Sequence, residues 1–170
     1  ILWKKYAIPA TNEKNAMTSY SRLMYYNIYS VYSFAITDTN NSYLFSKKSV
    51  QYIEDVPALY EEEKERYLIA LNNLISACLN LNRIEEAALY IQKLRQLSEK
   101  IQKPDVDNIK VRAFARSSIL ELYYYSKTGN FSNGIKLLKD ITRGIEEYKQ
   151  KINAVNRMEL YYNIGYTFFG

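Results

Sequence analysis

Met24-Tyr25-Tyr26-Asn27-Ile28, Ala70-Leu71-Asn72-Asn73-Leu74 and Leu160-Tyr161-Tyr162-Asn163-Ile164 are three versions of one phrase. Their asparagines at 27, 73 and 163 are separated by 46 and 90 residues, and half of 90 points to Ser118 in Arg116-Ser117-Ser118-Ile119-Leu120. Four occurrences at steps of 46, 45 and 45 mark a repeat array, because self-similarity at a fixed period is what stacked supersecondary units leave in a sequence.

Each period divides into two helical patterns. Leu68, Leu71, Leu74, Ile75 and Cys78 recur at steps of three and four and give one apolar face. Asn80-Leu81-Asn82 interrupts, and Asn82 with Glu85 three residues later has the pattern of a capping box. The next helix is expected to bury Ile84, Ala87, Ala88, Ile91, Leu94 and Ile101 and to end at Pro104; its early Glu85 and Glu86 and late Lys93, Arg95, Lys100 and Lys103 suit the helix dipole. In the third period Val111, Ala115, Ser118, Leu122 and Tyr125 form one face, and Lys127-Thr128-Gly129-Asn130 turns, with Gly129 free to take a left-handed backbone. Phe131, Ile135, Leu138, Ile141 and Ile145 line the helix that follows. The first period runs from about Asn15 to Ile36, turns through Thr37 to Asn41, and continues from Tyr43 to Asp55, where Pro57 closes it. Tyrosine favours strands, but its three-and-four spacing here and the lack of hairpin turns favour helix.

The fold class expected is all-α: antiparallel helix hairpins stacked as an α-α solenoid in one domain spanning 1–170. The repeats fall at about 15–57, 58–104 and 105–150, with partial repeats at 1–9 and 153–170. The chain begins without Met and stops inside a periodic segment, so it is expected to be part of a longer array.

These motifs resemble the tetratricopeptide repeat, whose first helix carries an aromatic, a Leu-Gly pair and a Tyr at fixed spacing. Tyr161-x-x-Ile164-Gly165-x-x-Phe168 follows that signature with conservative changes, and Tyr25-x-x-Ile28-Tyr29-x-x-Tyr32 and Leu71-x-x-Leu74-Ile75-x-x-Cys78 follow it with the Gly replaced. On the second helix a small residue precedes a large one by four positions, as in Ala87-x-x-x-Ile91, Gly134-x-x-x-Leu138 and Ser46-x-x-x-Val50. The period of about 45 exceeds the family's 34, so the resemblance is to its longer-helix relatives. It implies a right-handed superhelix whose first helices line a concave groove that takes an extended or helical peptide.

Composition excludes most other work. The 170 residues are 48% hydrophobic and 15% aromatic, enough for a real core. There is no His, which removes Ser-His-Asp and Cys-His catalysis, the usual catalytic zinc sites and any histidine switch. A single Cys78 on an apolar face allows no internal disulfide and suggests an inert thiol. Five scattered Gly build no phosphate loop, and Glu61, Glu62, Glu65 and Arg66 are explained by a salt-bridged solvent face. Asp105 and Asp107 suit a helix start, and the sequons at Asn40 and Asn130 fall on turns where Asn caps helices. The net charge of +5 is dispersed, so direct nucleic-acid binding is not expected, and no apolar run is long enough to span a membrane. No enzyme, cofactor or metal is expected.

The eighteen tyrosines are the unusual feature. If the aligned phrase holds, Tyr26, Ser30, Ser33, Asn72, Ser76, Ser117, Glu121, Tyr124, Tyr162 and Tyr166 point toward the groove and Asn27, Asn73 and Asn163 border it, while Tyr32 and Tyr125 belong to the core. Tyr gives rigid contact area and Asn can pair with a peptide backbone, although bracing of adjacent helices satisfies an Asn equally well. The resulting expectation is a non-enzymatic, cytoplasmic interaction scaffold for a protein, a peptide or another domain of the same chain. The alternative is a sensor or regulatory module of a larger signalling or transcription-regulating protein. An uncapped array can also pair end to end as a homodimer.

Overall fold

The computed structural model describes residues 13–16, 18–101 and 108–169. Among these residues the chain is all-helical, with no strand. A 3-10 turn at Glu13–Asn15 precedes α1 (Ser19–Ala35), α2 (Thr39–Asp55), α3 (Pro57–Glu62), α4 (Lys64–Asn80), α5 (Ile84–Lys100), α6 (Ile109–Lys127), α7 (Phe131–Glu147) and α8 (Ala154–Phe169). The expected ends at Pro104 and the segment 1–9, together with Lys103, Asp105 and Asp107, lie outside the described residues.

The first helix of every pair starts on one beat: α1, α4, α6 and α8 begin at residues 19, 64, 109 and 154, three equal steps of 45. Three of them also end on one turn. The backbone N–H of Asp38 donates to Ser33 O and that of Thr37 to Phe34 O; Arg83 and Asn82 do the same to Cys78 and Leu79, and Asn130 and Gly129 to Tyr125 and Ser126. This double bond pattern closes a helix through one left-handed residue, here Thr37 (φ 60), Asn82 (φ 57) and Gly129 (φ 68). Asn82 is therefore not the N-cap expected of it. It turns the chain, and Arg83 precedes α5 without a side-chain cap. Side-chain caps do serve the first pair, where Thr18 and Ser21 form a capping box and Asp38 accepts from the Asn41 backbone at 3.1 Å.

The left-handed residues fix the register. At 14, 11, 7 and 4 positions before each lie Leu23, Tyr26, Ser30 and Ser33; Leu68, Leu71, Ile75 and Cys78; and Ala115, Ser118, Leu122 and Tyr125. All are buried except the half-buried Tyr125. Five positions after each turn residue come the small, buried Ser42, Ala87 and Gly134. Ser42, rather than Ser46, thus matches Ala87 and Gly134, one helical turn earlier than the sequence motif suggests. These landmarks step by 45 and then 47, so α6 (19 residues against 17 in α4) sits two residues out of phase at its start.

Pro57 does not close the first pair but opens α3, at a position where its missing N–H costs nothing. Tyr32 is 55% exposed and Ile135 48%, so neither joins the core, and Ile101 is half-buried.

Tertiary contacts divide the chain into Ile1–Asn73 and Leu74–Gly170, the division falling inside α4. In the first unit α1 packs along α2, and α2 along α3. The α1–α2 interior is rich in hydroxyls: Ser30 Oγ and Ser46 Oγ are 2.6 Å apart, and Ser49 Oγ donates to Asn27 Oδ1 at 2.8 Å. Tyr25, Tyr26, Tyr29, Phe45 and Tyr52 form a chain of ring contacts around it. The start of α4 is tied in by Tyr67 OH donating to Glu54 Oε1 at 2.6 Å and Arg66 to Tyr20 OH at 2.7 Å.

In the second unit α6 is the hub, packing on α5, α7 and α8. The core here is aliphatic: Val111, Ile119, Leu122, Leu138, Ile141, Ile145, Ile152 and Leu160, with Ala115 among them. Two helical glycines admit close neighbours. A Cβ on Gly134 would lie 2.8 Å from Thr167 Cγ2 of α8, and one on Gly144 would overlap the Phe114 ring of α6.

Candidate binding surface

The thirteen residues expected to face or border a groove divide between the two units, and Ser33, in the first, is buried. In the first unit, Tyr26 and Ser30 are buried. Tyr26 OH donates to Glu13 Oε1 at 2.5 Å, and Ser30 pairs with Ser46. The Tyr26 hydroxyl is pushed up to about 12 by burial and by the carboxylate it donates to. Glu13 is held below its ordinary value by hydrogen bonds from Tyr26 and from Lys48, whose Nζ lies 3.0 Å from Oε2. Asn27 is half-buried and accepts from Ser49 across the hairpin, which is the bracing role. Asn72 and Asn73 are half-buried, with Asn72 Nδ2 3.4 Å from Asn73 Oδ1.

In the second unit, Ser117 is buried and donates to Phe114 O on its own helix. Glu121 is buried against Arg95 of α5, which reaches both carboxylate oxygens at 3.1 Å. Burial raises the Glu121 carboxyl above its ordinary range, with Arg95 and Tyr125 opposing that shift. Asn163 Nδ2 donates back to Glu159 O, again bracing. Ser76 is half-buried, and Tyr124 is half-buried with its ring edge-on to Tyr125. Tyr162 and Tyr166 remain open, 70% and 52% exposed, their rings stacked 6.5 Å apart.

Tyr26, Ser30, Ser117 and Glu121 consequently present no surface to a ligand, and the cause is register. Aligning Asn27 with Asn73 and Asn73 with Ser118 spaces the helices by 46 and 45 residues, whereas the turns space them by 45 and 47, which makes Ser117 and Glu121 the counterparts of the buried Ala70 and Leu74. One residue turns a helix face by about 100°. Tyr26 is thereby the counterpart of the buried Leu71, and Asn27 of Asn72.

What the second unit does offer is a seam between α6 and α8. Arg116 of α6 donates to Glu159 of α8 at 2.5 Å, while further on Tyr125 and Thr167 both flank Gly134, so the two helices run parallel. On α6, Tyr123 lies two turns beyond Arg116 on the same face and is 41% exposed. On α8, Tyr162 and Tyr166 stand three and seven residues beyond Glu159, again on its face. A partly exposed ion pair is thus followed along the seam by three open tyrosines. Arg116 and Tyr123 were not singled out by sequence; the Tyr123-Tyr124-Tyr125 run carried the signal, but only the register tells which tyrosine faces outward.

Among the described residues, no three His, Cys, Asp or Glu side chains come together to hold a metal ion. No helix among them is long and apolar enough to cross a membrane. No protein-family model, curated protein or solved structure matches the chain.

Proposed function

We propose that the hairpins belong to a superhelical array of the tetratricopeptide type and that the chain is a non-enzymatic scaffold, binding a peptide or helix of another protein against its first helices. The observation that carries this reading is the 45-residue beat of α1, α4, α6 and α8 with one turn repeated at Thr37, Asn82 and Gly129. A unit repeated so regularly presents equivalent side chains at equal intervals, the arrangement that suits an elongated ligand. Tyr123, Tyr162 and Tyr166 supply rigid amphipathic contact area at small entropic cost, and the Arg116–Glu159 pair supplies charges for register.

Selection of a random peptide display library on the purified chain tests the proposal. Recovered peptides should bind the triple variant Tyr123→Ala, Tyr162→Ala, Tyr166→Ala at least ten-fold more weakly, with the helical circular dichroism unchanged. Failure to recover any peptide, or peptides indifferent to the three changes, would overturn it.

A further inference from the structure

The α1–α2 hairpin carries a polar cluster that the other two pairs lack. Arg22 and Tyr26 stand one turn apart on α1, and Lys48 and Tyr52 one turn apart on α2. The two helices run antiparallel, so the four side chains meet as a square. The Arg22 guanidinium lies 5.7 Å from the centre of the Tyr52 ring, the Lys48 ammonium 5.6 Å from that of Tyr26, and the two rings are edge-on at 5.9 Å. Counted from the left-handed turn residues, these positions hold Tyr67, Leu71, Lys93 and Leu97 in the second pair and Phe114, Ser118, Asp140 and Gly144 in the third. The repeat therefore does not require the square. Where the second pair places the buried Leu71 and Leu97, the first places two tyrosines, each with a cation on its ring.

One carboxylate occupies the square. Glu13, from the turn before α1, takes the Tyr26 hydroxyl on Oε1 at 2.5 Å and the Lys48 ammonium on Oε2 at 3.0 Å. Arg22 adds attraction from the side; it is exposed and makes no ion pair among the described residues. Two cations thus face a single negative charge. The square does not need Glu13 for its shape, because α1 and α2 are joined independently by the Ser30–Ser46 hydroxyls and by Ser49 on Asn27. What Glu13 supplies is the acceptor. Tyr26 is 6% exposed, so without a carboxylate its hydroxyl is left buried and unpaired and both cations are left uncompensated. Any carboxylate that reaches the square recovers these charge-assisted bonds, which are the strong ones. Glu13 itself keeps 40% of its side chain exposed and arrives on a three-residue turn, so a carboxylate from outside meets it at the surface and not in the core.

We propose that the square of Arg22, Tyr26, Lys48 and Tyr52 is a receptor for the acidic side chain of a partner peptide, and that Glu13 closes it in cis as an autoinhibitory contact. Arg22 meets the incoming carboxylate, and Tyr26 and Lys48 hold it once Glu13 has left. This receptor lies in the first unit and owes nothing to the α6–α8 seam that carries the peptide-binding reading.

Hydrogen exchange of the α1 and α2 amides in Glu13→Ala, with acetate as the probe, tests it. Protection grows as one plus the ratio of ligand concentration to dissociation constant. At pH 7, about 500 mM sodium acetate should raise protection about three-fold or more over the same concentration of sodium chloride, which screens charge equally. A blocked Ala-Glu-Ala peptide should act in place of acetate, and blocked Ala-Gln-Ala should not. The gain should vanish when Tyr26→Phe or Lys48→Met is added to Glu13→Ala. It should be absent from the wild type, where Glu13 holds the site, and from Glu13→Gln, whose amide fills the place without the charge. If Glu13→Ala unfolds α1, recovery of the helix by acetate and not by chloride is the same positive result. Acetate that does no better than chloride, or a gain that survives both added changes, would sink the receptor. An equal gain in the wild type would sink its closure by Glu13.

Discussion

The first hairpin and the C-terminal bundle use the same positions on the same turn, and fill them with opposite chemistry. Seven residues before the left-handed residue stands Ser30 in α1, Ile75 in α4 and Leu122 in α6, all buried. In the α1–α2 hairpin that position meets Ser46 through a hydroxyl pair, inside a shell of tyrosine rings. In the C-terminal bundle it belongs to an aliphatic cluster. The backbone periodicity of a repeat therefore does not prescribe one kind of core. Hydrophobic burial contributes in proportion to area, whereas a buried hydroxyl pair contributes little net and is costly when half of it is removed.

The largest effects should come from the aliphatic side. Leu122→Ala is expected to cost about 2–5 kcal/mol, since the site is fully enclosed and leaves a cavity. Ser30→Ala should cost about 1–3 kcal/mol by stranding Ser46, while Ser30→Ala with Ser46→Ala should restore most of that loss. Urea unfolding followed by hydrogen exchange in each region reads the three variants. A double variant as damaged as the single would mean that the serine pair is not the unit of stability.

Acidity should separate the two regions by sign. Glu13 has its native carboxyl lowered from the ordinary 4.5, so the stability it lends is present above 4.5 and is lost as pH falls through the lower native value. Tyr26 is raised from 10 to about 12, so its contribution is present below 10 and is lost as pH climbs through 12. Glu121 is raised by burial, so its contribution is full below 4.5 and is lost as pH rises through the raised native value. On acidification from pH 7 toward 4.5, protection of α5 and α6 amides should therefore increase, and below 4.5 protection of α1 should fall. Glu121→Gln should flatten the first change without touching the second. Parallel responses in both regions would contradict the separation.

The shared turn permits a smaller exchange. Thr37 is β-branched and holds φ 60, a conformation that costs a non-glycine residue about 1–2 kcal/mol and suits the glycine found at Gly129. Part of the gain from Thr37→Gly is offset by the unfolded chain's added freedom and by the lost Thr37 hydroxyl bond to Ile36 O. A net stabilisation of about 0.5–1 kcal/mol is expected, visible in thermal unfolding. The reciprocal Gly129→Thr should destabilise the C-terminal bundle.

The helices themselves were legible because their periodicity is local: Leu68, Leu71, Leu74, Ile75 and Cys78 are all buried, and Gly129 turns as its chemistry requires. Facing was not legible for the tyrosine-rich helices. Tyr25 and Tyr26 are both buried, while Tyr161 and Tyr162 in the same phrase are both exposed, so an aromatic pair carries no phase of its own. Asn27 and Asn73 looked equivalent because Asn72 and Asn73 are adjacent and identical, and only the turn residues at 37 and 82 choose between them. The candidate site inherited that slip. The repeated phrase points Tyr26 and Ser30 to a surface, whereas the hairpin uses them to fill its interior.

The smallest effect concerns how far the tightness of the C-terminal bundle extends outward. Gly134 and Gly165 lie on adjacent helices, α7 and α8, and both sit in helical backbone, where replacing Gly by Ala gains about 0.5–1 kcal/mol from the unfolded chain's lost freedom. At Gly134 the new methyl would stand 2.8 Å from Thr167 Cγ2, so the buried Thr167 side chain must turn, breaking its bond to Asn163 O, or the helices must part, and the change should be destabilising. At Gly165 the methyl enters open space, and the full gain should appear. Thermal unfolding at low micromolar concentration or below, where self-association contributes least, should show Gly165→Ala melting higher than the wild type and Gly134→Ala melting lower. If Gly165→Ala also melts lower under those conditions, the outer face of α8 is already covered within a single copy. The contrast between a closed inner face and an open outer one then disappears.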